Sequence, residues 1–160
     1  MSGALVVILM GSRADEAHCQ KIAAAAGALG LDTAWYVGSA HKTPRHVLGI
    51  LAQCEEDPRP KVYITVAGRS NALSGFVDGA VAAPVIACPP SGDSFREVDL
   101  FSSLRMPSGI APAVVLEPAN AALLAAKILG LHDETIHGAV VAFQKAQAEK
   151  ILSDNAELQP

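Results

Sequence analysis

The chain has 160 residues, 51% hydrophobic and 18% charged, which is enough for one domain with a continuous core and too little for two ordinary ones. A formal charge of -4 with only 12 Lys plus Arg argues against nucleic acid as a partner, and no apolar run approaches the roughly 18 residues of a membrane span. Cys19, Cys54 and Cys88 are odd in number and too scattered for a disulfide framework or a Cys-x-x-Cys metal site, and Met1-Ser2-Gly3 lacks the basic stretch of a secretion signal, so the expectation is a cytoplasmic protein with buried, reduced thiols and no metal.

Ala4 to Met10 is apolar without alternation, the pattern of a strand buried on both faces of a parallel sheet. Glu16 to Leu29 has the length and composition of a helix, as does Thr43 to Cys54. Strand-like runs recur at Thr33 to Val37, Lys61 to Ala67, Pro84 to Cys88 and Pro112 to Glu117. Strand, helix, strand in repetition predicts right-handed crossovers and an α/β three-layer sandwich, flavodoxin-like or Rossmann-like, with about five parallel strands covered by helices on both faces. The stretch from Asp133 to about Leu152 follows the strands instead of joining them. Its apolar positions Ile136, Val140, Phe143 and Ile151 form one stripe of a long C-terminal helix, which with no sheet position left to cover suits packing on another subunit. A single domain over 1–160 is expected, with a core over 1–131, a helical tail over 132–160, and its loosest residues at the polar end.

In open parallel sheets ligands bind beyond the carboxyl ends of the strands, so unusual polar residues should follow each run. Gly11-Ser12-Arg13-Ala14-Asp15 follows the first, Ser39-Ala40-His41-Lys42 the second, Gly68-Arg69-Ser70-Asn71 the third and Pro89-Pro90-Ser91-Gly92-Asp93 the fourth. The first offers a small turn, a hydroxyl and free N–H groups at a helix start, a place that suits phosphate; the plainer alternative makes Asp15 an N-cap. It lacks the pattern of a P-loop or a dinucleotide site. The second sets an imidazole beside an ammonium, a general acid/base and an anion anchor if they face one ligand, or an ordinary surface pair if they do not. His18, His46, His132 and His137 lie in or near helical segments and read as solvated surface. The third is either a well-capped turn or a set of donors, and its position beside the other two favours a shared crevice.

Five motifs in register, Gly11-Ser12-x-x-Asp15, Ser39-Ala40-His41-Lys42, Ala67-Gly68-Arg69-Ser70-Asn71, Ala87-Cys88-Pro89-Pro90 and Ser102-Ser103-Leu104-Arg105-Met106-Pro107-Ser108-Gly109, resemble the PurE family of aminoimidazole ribonucleotide (AIR) carboxylases and mutases. The similarity covers about Leu5 to Leu131. Class I members, the mutases that act on the carbamate isomer, have a third loop like Gly-Ala-Gly-Gly-Ala-Ala-His and usually Arg at the position of Lys42. Here the loop has no histidine, which resembles class II, the carboxylases that use CO2 itself.

The resemblance implies AIR and CO2 as substrates, reversible formation of the 4-carboxy product in purine synthesis, and no cofactor. It makes His41 the catalytic acid/base, Ser12, Asp15, Ser39, Lys42, Gly68 and Ser70 contacts to the ribonucleotide, and Arg69 and Asn71 the walls of a CO2 pocket. It also implies a homo-oligomer, octamer or tetramer. Ala14 stands where many relatives have Ser, which removes one hydroxyl from the expected phosphate site. The alternatives are the class I mutase activity and a non-catalytic module that binds a ribonucleotide.

Overall fold

The computed structural model describes residues 3–90 and 96–158. Five parallel strands form one sheet in the order β2-β1-β3-β4-β5, with β1 Leu5–Met10, β2 Asp32–Val37, β3 Lys61–Val66, β4 Val85–Ala87 and β5 Ala113–Val114. The described residues also form six α-helices: α1 Glu16–Ala28, α2 Pro44–Glu55, α3 Ala72–Asp78, α4 Arg96–Leu104, α5 Pro118–Leu129 and α6 Glu134–Glu157.

Every residue of β1 is buried. Alternate side chains of this strand supply two separate cores. Val6, Ile8 and Met10 pack with Ile22 and Ala26 of α1, Ala122 and Ala125 of α5 and Ile136 and Val140 of α6. Leu5, Val7 and Leu9 pack with Val47, Ile50 and Leu51 of α2 and Leu73 and Val77 of α3. A fully buried Val, Leu or Ile contributes about 1.5–3 kcal/mol, so an uninterrupted apolar strand here stabilises both faces at once.

The strand at Thr33 to Val37 departs from the expected pattern. It is the sheet edge, with Trp35 37% and Val37 45% exposed, because β1 occupies one side of it and no strand follows on the other. The fourth and fifth strands are shorter than their apolar runs. Pro84 and Pro112 carry no N–H to give to the ladder, although the Pro84 carbonyl still accepts from Tyr63 N at 3.0 Å. At the C-terminus, Asp133 caps α6 by accepting from Thr135 N and Ile136 N, and the helix runs on to Glu157, past the expected end near Leu152. Of the four stripe positions, Ile136 and Val140 are buried, whereas Phe143 and Ile151 are 39% and 66% exposed. Among the described residues no helix is long and apolar enough to cross a membrane.

Candidate active site

The three polar loops leave the sheet side by side. Met10 is the register partner of both Val37 and Val66, so the chain exits β1, β2 and β3 at one level, with neighbouring strands about 4.8 Å apart. Gly11 N donates to Val66 O at 2.8 Å and Gly38 N to Met10 O at 2.9 Å, which carries the ladder one residue into the loops. The β1/β3 junction is where the strand order reverses, the place at which a sheet of this topology opens a crevice.

In the first loop Ser12 is extended and its hydroxyl accepts from Ala14 N at 3.2 Å, capping a short 3-10 turn over Arg13–Asp15. Asp15 stands at the start of α1 but makes no side-chain cap hydrogen bond, and burial pushes its carboxyl above the usual range. Capping therefore falls to Ser12, and no helix N–H occupies the Asp15 carboxylate.

The second loop is stiffened by Ser39 and Thr43. Thr43 N donates to Ser39 O at 2.8 Å, Ser39 N donates to Thr43 Oγ1 at 3.0 Å, and Lys42 N donates to Ser39 Oγ at 3.2 Å. Gly38 permits this loop to lie on α2, since a Cβ there would stand 2.8 Å from Val47 Cγ2. The side chains of His41 and Lys42 are exposed at the tip.

The third loop is held from outside. Arg69 adopts a left-handed φ of 55°. Asn71 is 3% exposed: its Oδ1 accepts from Ser74 N at 3.2 Å to cap α3, and its Nδ2 donates to Ser103 Oγ at 2.9 Å. Ser102 Oγ accepts from Asn71 N at 2.9 Å and lies 3.1 Å from Arg69 O. Two adjacent serines of α4 thus bind the loop, and the Asn71 amide is engaged within the protein. Gly68 and Ser70 are exposed. Gly68 sits against the fourth loop, its Cβ position 3.5 Å from Pro90 Cγ. Ser91, Gly92 and Asp93 of that loop lie outside the described residues. Beside Ser70 and Asn71 opens a cavity of about 260 Å³, walled mainly by Phe76, Met106, Pro107 and Ile110.

His46, His132 and His137 are exposed, as expected, but His18 is not the solvated side chain anticipated. It is half-buried, with Nε2 3.3 Å from Cys88 Sγ, and burial lowers its pKa. All three cysteines are free and buried. His18, Ser102 and Ser103 are the residues that sequence reasoning left without a role.

A sequence profile of the family described as AIR carboxylase matches residues 5–150. The chain belongs to the AIR carboxylase family. Within this family of enzymes it is 55% identical over 154 residues to the phosphoribosylaminoimidazole carboxylase of Treponema denticola, spanning 96% of this chain and 97% of that one. It is 49% identical to the phosphoribosylaminoimidazole carboxylase of Archaeoglobus fulgidus over 98% of this chain and 86% of the relative. A bifunctional phosphoribosylaminoimidazole carboxylase/phosphoribosylaminoimidazole succinocarboxamide synthetase of Homo sapiens is 45% identical over 131 residues, which are 31% of its length. The crystal structure of Treponema denticola PurE superposes with a TM-score of 0.96 at 54% identity, covering 98% of this chain and 99% of that one. The AIR carboxylase family membership expected from the motifs and the flavodoxin-like αβα fold expected from the alternation of strands and helices are both established by these matches.

Proposed function

We propose that this protein is a class II AIR carboxylase: it joins CO2 directly to the ring carbon of 5-aminoimidazole ribonucleotide, reversibly, in purine synthesis in the cytoplasm. The observation that supports the proposal is that β1, β2 and β3 end at one level around the β1/β3 junction, so the loops that carry Ser12 and Asp15, His41 and Lys42, and Gly68 and Ser70 all leave the same end of the sheet. The class rests on the third loop, which has Arg69-Ser70-Asn71 and no histidine, and on Lys42.

The amino group of the substrate is conjugated to the neighbouring ring carbon, which makes that carbon enamine-like and nucleophilic. It attacks the carbon of CO2; a C–C bond forms, one C=O electron pair moves to oxygen, and the amino nitrogen carries the positive charge. Neutral His41 then removes the ring proton, the C–H electrons restore aromaticity, and the proton passes to solvent. In reverse, protonated His41 delivers the proton and CO2 leaves. No step demands ATP, biotin or metal, so the task of the protein is to hold two partners in line.

Lys42, Ser12 and the N–H groups at the start of α1 suit the substrate's phosphate, and Asp15 and Ser39 its ribose side. Gly68 and Ser70 line the remaining edge. Arg69 and Asn71 shape the CO2 pocket, Asn71 through its backbone and its hold on the loop, since its amide is spent on Ser74 and Ser103. The core and the helical tail act as one domain. The unpartnered end of α6, with Phe143, Ile151 and Leu152 exposed, supports a homo-oligomer, tetramer or octamer.

The test supplies AIR with dissolved CO2/bicarbonate in one reaction and the carbamate isomer in another, without ATP and against a blank for spontaneous decay. Carboxylation of AIR alone is the expected result; turnover of the carbamate alone would replace this reading with the mutase. His41→Asn should abolish turnover and keep substrate binding. A fully active variant would remove His41 from the chemistry.

A further inference from the structure

His18 and Cys88 are 70 residues apart in sequence and meet on the face of the sheet that α1 covers. His18 lies three residues after Asp15, one turn along the same side of α1. Cys88 directly follows the last residue of β4: its N–H donates to Thr65 O at 2.9 Å, tying it to β3, and its thiol is fully buried. Two residues later, Pro90 lies against Gly68. The contact therefore joins the helix that begins at the first loop to the strand end that abuts the third.

We infer that His18 is a positioning residue of the substrate site, one that sets the spacing between Asp15 and the Cys88-Pro89-Pro90 turn behind Gly68. The inference rests on the proposed AIR site and adds to it a side chain that touches no reacting atom.

The chemistry of the pair fits a fixed contact. Burial pushes the Cys88 thiol up to about 12, so it stays protonated and is a donor with one hydrogen. Burial, and then the nearby Lys21 ammonium, lower the pKa of His18; the Cys88 carbonyl and Glu117 act in the opposite sense and are the weaker influences. A neutral imidazole carries one hydrogen, so the contact is made in one of two ways: Nε2 accepts from the thiol with the proton on Nδ1, or Nε2–H donates to the sulfur while the thiol gives its hydrogen to Leu116 O. The only other partner within reach of Sγ among the described residues is Leu116 O at 3.9 Å, a longer contact. Removing the imidazole frees the strand end to shift, and because Asp15 and Gly68 hold the substrate in its ground state and its transition state alike, the loss appears in binding.

The experiment compares His18→Ala, His18→Gln, Cys88→Ala and the His18→Ala/Cys88→Ala pair with the wild type. His18→Ala should raise KM for AIR about tenfold, equivalent to about 1.4 kcal/mol, with kcat within about twofold of wild type. Gln offers the thiol both an amide oxygen and an amide N–H and should recover most of that loss. Cys88→Ala should match His18→Ala, and the double variant should be no worse than either, as expected for one shared contact. If His18→Ala does not fold, His18→Gln and Cys88→Ala carry the comparison. A His18→Ala enzyme whose KM is unchanged, whatever its melting temperature, overturns the inference, and so does a double variant whose losses multiply. Wild-type turnover of AIR is the separate check on the proposed activity. Should that turnover be absent, calorimetric affinity for AIR makes the same comparison: tenfold weaker binding upholds the inference and unchanged binding sinks it.

Discussion

Asn71→Ala removes two hydrogen bonds at once, the cap on α3 and the bond to Ser103. Losing an Asn cap costs about 1 kcal/mol. Ser103 is 1% exposed, so water cannot reach its hydroxyl, and stranding a buried polar group costs about 2 kcal/mol more. The variant should be destabilised by about 3 kcal/mol, a fall in Tm of roughly 6–12 °C for a chain of this size, read by calorimetry at one fixed protein concentration. Asn71→Asp separates stability from function. Its carboxylate still accepts from Ser74 N and, because the Ser103 hydroxyl can rotate to donate, both bonds survive with a favourable charge at the helix start. Stability nearer to wild type than that of Asn71→Ala is expected, reduced by the cost of burying a carboxylate, together with slower carboxylation, because a buried negative charge under the third loop disfavours the carboxylate that forms nearby. The reasoning is refuted if Asn71→Ala loses less than about 1 kcal/mol, or if Asp is as destabilising as Ala.

Asp15 supplies a pH-dependent test. Burial raises its folded pKa above the ordinary 3.8, so its charge opposes folding fully at neutral pH, and the penalty disappears as pH falls through the raised value. Asp15→Asn should accordingly melt higher than wild type at pH 7, lose that advantage towards pH 3.8, and bind AIR more weakly by calorimetry. Gly38→Ala drives a methyl to 2.8 Å from Val47 Cγ2 and should cost about 1–3 kcal/mol by urea denaturation, with relief in the Gly38→Ala/Val47→Ala pair. Phe143→Glu with Ile151→Glu alters positions that are open in one copy of the chain, so sedimentation should show a smaller assembly while circular dichroism of the folded chain stays the same.

The fold was legible where a local signal matched its tertiary setting. Leu5–Met10 reads as a two-faced strand and is one, and the stripe through Ile136 and Val140 reads as helical and is, although these two residues pack into the core of their own chain beside α5 where a contact with another subunit was expected. Thr33 to Val37 reads as a strand too, yet an edge position depends on strand order, which no local run encodes. The polar loops at the strand ends were legible as loops, although Ser12, Ser39 and Asn71 prove to hold those loops together. Partners far apart in sequence were not. Nothing around His18 indicates a thiol 70 residues away, and Ser102 and Ser103, although part of a family motif, show their purpose only once α4 lies across the third loop. Likewise Asn71 reads as a free donor until both of its amide atoms are seen to be occupied.

Arg69 is the non-glycine residue with a left-handed backbone among the described residues, a conformation that costs an L-residue roughly 1–2 kcal/mol. Ser102, close to its carbonyl, helps hold it there. Glycine would adopt the same φ freely, so a redesign guided by backbone comfort would replace Arg69 early and obtain a more stable chain. That chain would have lost the guanidinium proposed to shape the CO2 pocket, and the Ser102 contact would be restraining a turn that no longer resists. Thermal shift would score such a variant as an improvement, and only an assay with substrate would reveal what had been exchanged.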